Sequence, residues 1–180
     1  MTAPLVRSAT RDDLPALLDI YNYYVEHTHH TADLEPSTHE EFVGWFVQFA
    51  ETGPYRALVC ESKGQVIGYA SSREFHPKKV YSRTVEVGLY VAHQHRGSGV
   101  GSRLYARLFD GLAAEPGIHQ FVAGITLPND ASLVLHTKFG IREVATFEAI
   151  ASRDHEYWSL RLPRPLARLG EPASRGRRTT

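Results

Sequence analysis

The chain has 180 residues, 42% of them hydrophobic and 22% charged, which is the composition and size of one globular domain with a core of its own. Twenty basic residues balance twenty acidic ones, so no global field draws the chain to nucleic acid or to an anionic membrane, and we expect neither as a partner. The single cysteine, Cys60, excludes an internal disulfide, and no apolar run nears the roughly 20 residues that span a bilayer; with polar Arg7, Arg11, Asp12 and Asp13 where a signal peptide would be apolar, a cytoplasmic location is expected.

Leu5–Ser8 reads as a short first strand, and Thr10 can cap a following helix whose first turn carries Asp12 and Asp13. Leu14, Leu17, Leu18, Tyr21 and Val25 form its apolar face. His27, His29 and His30 crowd the next loop, but nothing nearby completes a ligand set, so a solvated loop or the rim of a substrate site is expected in place of a metal. Ser37 or Thr38 starts a second helix, with Phe42, Trp45, Phe46 and Phe49 on one face and Gly53-Pro54 at its end. Two apolar runs, 56–61 and 65–71, flank Ser62-Lys63-Gly64 as a β-hairpin. A polar segment, 73–81, separates it from the next strand.

The stretch 82–105 organises the rest. Thr84, Val85, Val87, Leu89, Tyr90 and Val91 read as a largely buried strand. The turn Arg96-Gly97-Ser98-Gly99-Val100-Gly101-Ser102 follows, and then a helix with Leu104, Leu108, Phe109 and Leu112 on one face. The unpaired N–H groups of such a loop and helix start, with the positive end of the helix dipole, suit phosphate oxygens, and Arg96 adds a charged fork. The glycine spacing is not that of the dinucleotide fingerprint, and no Gly-Lys-Ser/Thr completes a P-loop.

Residues 121–126 read as a fifth strand, central because it is apolar on both faces. Asn129 or Asp130 caps a short helix that runs to Lys138 and is stopped by Gly140. Residues 142–150 and 156–162 are the last strands. From Pro163 the apolar content falls and arginines accumulate, so 1–162 reads as the domain and 163–180 as a basic, disordered tail.

Arg96, Gly99 and Gly101, in the pattern R-x-x-G-x-G directly after Leu89-Tyr90-Val91, resemble the acetyl-CoA-binding motif of the GCN5-related N-acetyltransferases, the GNAT superfamily. The element order β-α-α-β-β-β-α-β-α-β-β is that of the superfamily too. The expected fold is therefore α/β: a mixed, mostly antiparallel, twisted sheet of six to seven strands flanked by about four helices. A closer resemblance, to the phosphinothricin N-acetyltransferase family, is carried by residues 20–26 (IYNYYVE), by Thr84-Val85-Glu86 with Leu89-Tyr90-Val91, and by Leu127-Pro128-Asn129-Asp130-Ala131-Ser132 with His136 beyond. Members acetylate the amino group of small amino-acid-like compounds such as phosphinothricin and methionine sulfoximine or sulfone, and are commonly homodimers. This chain departs from the family at His76 after Phe75, at Arg83 one residue later than the usual arginine, and at Gly140-Ile141.

The resemblance implies acetyl-CoA as the acetyl donor, a small amine as acceptor, and a homodimer. It places the family's catalytic glutamate at Glu86, where burial of an isolated carboxylate would raise its pKa toward the working range of a base. It puts backbone donors for the acetyl oxygen near Leu89, Tyr90 and Val91. His136 stands where superfamily members often have a tyrosine that protonates the leaving thiolate, and histidine can donate a proton near neutral pH. Asn129 and Ser132 correspond to contacts of the pantetheine arm, although both are also good helix-capping residues. Arg73, His76 and Arg83 form a basic segment that could hold an acidic substrate group, and Tyr24, Glu35 and Tyr81 are expected on the amine side. Acetylation of a protein N-terminus or lysine, and non-catalytic binding of acyl-CoA, are the alternatives.

Overall fold

In the computed structural model, which describes residues 3–153 and 156–165, the chain builds a mixed, mostly antiparallel sheet flanked by four helices. Strand β1 (Leu5–Ser8) leads through a 3-10 turn at Arg11–Asp13 into α1 (Leu14–His27) and then α2 (His39–Phe46). Strands β2 (Arg56–Ser62), β3 (Gln65–Glu74) and β4 (Thr84–Val91) follow, then α3 (Val100–Ala113), β5 (Gln120–Val122), β6 (Ile125–Thr126), α4 (Asp130–Lys138), β7 (Ile141–Arg153) and β8 (Glu156–Pro165). One sheet has the order β1-β2-β3-β4-β5 and a second the order β6-β8-β7.

Local chemistry explains the boundaries. Asp13 accepts from the Thr10 N–H at 2.8 Å, and Arg7 grips both oxygens of Asp13 at 2.7 Å while also bonding Glu61, so the start of α1 is tied to β1 and β2. Thr38 and Glu41 form a reciprocal capping box at the start of α2. That helix ends at Phe46, well before the expected stop at Gly53-Pro54; Phe49 lies beyond it yet still packs on Trp45, with ring centroids 4.6 Å apart. Between β2 and β3 the loop is Lys63-Gly64, both with positive φ (52° and 76°), the turn that matches strand twist.

The sheet is packed on both faces. Helix α3 turns Leu104, Leu108 and Leu112, all fully buried, onto β2, β3 and β4, in one core cluster with Val85 and Val87 of β4 and Phe121 of β5. On the opposite face α1 and α2 bring Leu17, Ile20, Tyr24 and Phe42 onto Val59 and Tyr69. Each fully buried aliphatic side chain stabilises the fold by about 1.5–3 kcal/mol.

The expected fifth strand is not one central strand. It breaks at Ala123-Gly124 into β5, an edge that pairs in parallel with β4 over Thr84–Glu86, and β6, which pairs with β8 instead. Beyond Glu86, β4 keeps its antiparallel bonds to β3 through Val91 but parts from β5. Strand β8 continues to Pro165, and the rest of the expected tail lies outside the described residues. Among the described residues no helix is long and apolar enough to cross a membrane.

Candidate active site

The parting of β4 from β5 opens a cavity of about 640 Å³. One wall is β4 from Val87 to Val91, and the other is Ala123, Gly124 and Ile125 at the break between β5 and β6. The mouth is formed by the glycine loop and the start of α3, with Arg96, Gly97, Gly99, Val100, Gly101 and Ser102, and by α4 and its cap, with Asn129, Ser132 and His136. Thus Leu89, Tyr90 and Val91 and nearly all the expected cofactor residues surround one space. Ser98 does not line it; its hydroxyl donates to the His95 carbonyl at 2.6 Å and so braces the loop.

Gly97 and Gly99 have φ of 74° and 84°, a conformation that a side chain would strain, and Gly99 delivers the chain into α3. Gly101 serves packing instead: a Cβ there would sit 3.1 Å from Leu135 Cδ2, closing the approach of α4 to α3. No acidic residue occupies the first turn of α3, so its N–H groups and dipole present unopposed positive potential. Arg96 lies with its guanidinium 4.8 Å from the centre of the Tyr24 ring, a cation–π contact that orients it at the mouth. Lys138, which the sequence reading passed over as a helix end, also lines the cavity and donates to the Ser102 hydroxyl at 3.0 Å. This cradle of backbone donors with two cations fits a phosphate-bearing cofactor.

Tyr24 belongs to this cavity rather than to an amine side. It is buried, and its hydroxyl donates to the Val91 carbonyl at 2.7 Å, pinning α1 to the end of β4. Beside it, burial, with the charges of His29 and Arg96, lowers the pKa of His30.

His136 has a different standing from the one expected. It is buried, and burial lowers its pKa, so it is neutral at pH 7 and not a ready proton donor. Nδ1 lies 2.7 Å from the Ser132 carbonyl and therefore carries the proton. Nε2 is then an acceptor and takes the hydroxyl of Tyr105 at 3.2 Å. Tyr105, on α3 and 1% exposed, lines the cavity, and burial pushes its pKa up. The sequence reading missed it because its partner is 31 residues away on another helix. Asn129 caps α4 by accepting the Ser132 N–H at 3.2 Å while its side chain borders the cavity, so capping and lining coexist.

Glu86 sits on the opposite face of β4 from Val85 and Val87, in line with Gly88 and Tyr90. It is not the isolated carboxylate expected: Arg73, directly opposite it on β3, donates to Oε1 at 3.0 Å. Burial works against the charge of Arg73, and the bond to Glu86 and its negative charge more than offset this, so the guanidinium stays charged. The same face carries Tyr90, whose pKa burial pushes up to about 12, and Tyr21, which meets Tyr90 edge-on at 5.1 Å. Tyr21 in turn bonds Thr31 and Asp33 of the α1–α2 connection.

The other expected substrate residues scatter. Glu35 is exposed on the α1–α2 connection. His76 accepts the Lys78 N–H and packs 4.8 Å from the half-exposed Tyr81 ring. Arg83 donates to the Gly117 carbonyl at 3.3 Å, below Glu86 and away from the cavity. Among the described residues no group of three or more metal-ligating side chains occurs.

Residues 15–141 match the acetyltransferase (GNAT) family. The chain is 44% identical over 158 residues to a phosphinothricin N-acetyltransferase of Streptomyces coelicolor, an alignment covering 86% of this chain and 91% of that one. It is 35% identical to an L-methionine sulfoximine/L-methionine sulfone acetyltransferase of Salmonella typhimurium, over 78% of this chain and 81% of that one. Its fold superposes with a TM-score of 0.87 on yncA from Salmonella typhimurium, solved with its cofactor acetyl-CoA, at 31% identity over 96% of this chain and 98% of that one.

Proposed function

The chain belongs to the GNAT family and is an acetyl-CoA-dependent N-acetyltransferase; from that premise we propose that its acceptor is a small amine of the amino acid type, as in phosphinothricin or methionine sulfoximine and sulfone, and that Glu86 takes the amine's proton. The observation that carries this reading is the split sheet. One strand, β4, walls the cavity with Val87–Val91 and carries Glu86 just before the split, on the face of Gly88 and Tyr90, which line the cavity. Donor and acceptor therefore meet along one strand.

Acetyl-CoA supplies an activated acetyl thioester. Arg96, Lys138 and the N–H groups that open α3 would hold its phosphates, and Asn129 and Ser132 would border its arm. Glu86, directly or through a water, removes a proton from the acceptor ammonium so that the nitrogen lone pair can attack. Backbone N–H groups of β4 between Leu89 and Val91, freed from β5 by the split, donate to the oxygen that gains charge. As the C–N bond forms and the C–S bond breaks, the nitrogen gives up its second proton and CoA leaves as the thiol; the Tyr105 hydroxyl would face the departing sulfur. Its raised pKa makes it a hydrogen-bond donor to the thiolate rather than a source of a free proton; before the sulfur gains charge that single O–H is held by His136 Nε2, and it would leave His136 to meet the thiolate. Cys60 is fully buried within β2, which supports direct transfer without an acyl-cysteine. The reading also takes the chain as a cytoplasmic homodimer; exposed Phe75, Val80 and Tyr81 supply apolar surface for a second copy.

Thiol release from acetyl-CoA over a panel of amino acid analogues, simple amines, polyamines and a lysine peptide tests it. Turnover on an amino acid analogue that falls about 10²-fold or more in Glu86→Gln is expected. Turnover confined to the peptide, or undiminished in the variant, overturns the acceptor class or the base respectively.

A further inference from the structure

Arg73 and Glu86 face each other across β3 and β4 in directly paired register, so their side chains leave the same face of the sheet. They meet at a single point: Nη2 to Oε1, 3.0 Å. Among the described residues, Nε and Nη1 of Arg73 and the second oxygen of Glu86 make no hydrogen bond. The two side chains are 48% and 28% exposed, and a single-point, partly exposed pair is held weakly. A guanidinium fork engaged at one prong binds a carboxylate more strongly when both prongs are met.

We propose that Arg73 is a specificity-determining residue that makes acetyl transfer depend on a carboxylate in the acceptor, by exchanging its one-point bond to Glu86 for a two-point bond to that carboxylate. This deepens the reading of Glu86 as the base and rests on it. In an α-amino acid the ammonium and the carboxylate hang on one carbon. They can therefore meet Glu86 and Arg73 together, since the facing atoms of that pair are 3.0 Å apart. The exchange leaves Glu86 free to take the ammonium proton. An amine without a carboxylate finds Glu86 still bonded to Arg73, and its own positive charge beside a guanidinium that the ion pair keeps charged against the effect of burial. Acidic acceptors are thus favoured and neutral ones rejected by the same side chain. Nothing else hydrogen-bonds Arg73 among the described residues, so its replacement leaves the strand pairing of β3 intact.

The test compares methionine sulfone with its α-amide as acceptors for the full-length enzyme, Arg73→Gln and Arg73→Lys, with Glu86→Gln alongside. For the unaltered enzyme kcat/KM is expected to favour the acid by about 10-fold or more, the scale of a charge-assisted bond at a half-exposed site. In Arg73→Gln the acid loses about 10-fold while the amide improves, so the ratio falls toward one; Arg73→Lys, which keeps the charge but not the fork, lies between. Calorimetric binding of the same two ligands to the CoA-loaded protein reads the same ratio without turnover. No acid preference in the unaltered enzyme, or a ratio unmoved in Arg73→Gln while Glu86→Gln is inactive, overturns the role of Arg73 alone. Turnover that survives in Glu86→Gln overturns the base assignment and this inference with it.

Discussion

Replacing Tyr105 by Phe removes one oxygen and leaves the ring where Phe109, at 4.7 Å, and Phe139, at 5.9 Å, pack against it. The hydroxyl has two jobs in the reading above, and the substitution separates them. In the folded protein it satisfies Nε2 of the buried, neutral His136. Leaving a buried acceptor unmet costs about 1–3 kcal/mol, and the bordering cavity lets water recover part of that, so about 1 kcal/mol is expected. For a chain of this size that lowers Tm by roughly 2–4 °C. In catalysis the hydroxyl meets a sulfur acquiring negative charge, and a hydrogen bond to a charged group contributes about 1.5–3 kcal/mol, or roughly 10- to 100-fold in kcat. The affinity for acetyl-CoA is expected to change less than about threefold, because the thioester carries no such charge. Thiol-release kinetics at saturating acetyl-CoA, calorimetric binding of CoA and thermal unfolding measure the three quantities. A Tm that falls with kcat unchanged would confine Tyr105 to holding His136 and refute its part in the chemistry.

Two further outcomes concern the frame of the site. A Cβ at Gly68 would meet the Tyr90 carbonyl and Val100 Cγ1 at 3.0 Å, so Gly68→Ala is expected to destabilise by about 1–3 kcal/mol, and Gly101→Ala, which crowds the flexible end of Leu135 at 3.1 Å and meets Leu89 at ordinary contact distance, by less than about 1 kcal/mol in urea unfolding; equal costs would contradict the packing argument. The Arg7 guanidinium, helped by Thr10, holds the Asp13 carboxyl below its usual pKa, so its contribution is fully present above pH of about 3.9 and is lost as pH falls through the depressed folded value. Asp13→Asn should therefore cost about 1–2 kcal/mol at pH 7, discounted for the partial exposure of Arg7, and the gap should narrow near pH 3. A gap that stays constant between those pH values would show that Asp13 acts through shape and not charge.

The parts of this molecule that were legible in the sequence are those whose signals are local. The β4–glycine loop–α3 unit lies within the 30 consecutive residues 84–113, and its strand pattern, turn glycines and helix periodicity agree. The turn at Lys63-Gly64 and the cap at Thr38 are local in the same sense. What escaped was set by pairing at a distance. Residues 121–126 are apolar throughout, yet the chain divides them between two sheets, because β6 pairs with β8, formed some 35 residues later. The bonds of Glu86 to Arg73 and of His136 to Tyr105 depend on hairpin register and on how α3 meets α4. Tyr21 and Tyr24 lie on one helix, three residues apart; the helix period puts Tyr21 on the apolar face and says nothing of what Tyr24 meets, and packing sets Tyr24 at the cavity and Tyr21 against Tyr90 beside Glu86.

Because the phosphate cradle is built from α3, α4 and the far end of β4, while Glu86 and its neighbours look toward the α1–α2 connection, the protein resembles a fixed power tool with an interchangeable bit. The segments 28–38 and 75–83 are loops and short turns that contribute little to the buried core. Exchanging 31–38 and 75–83 between relatives is expected to change the acceptor, whereas His29, bonded to the Pro128 carbonyl, and His30, which lines the cavity, belong to the donor end and mark the boundary for such grafting.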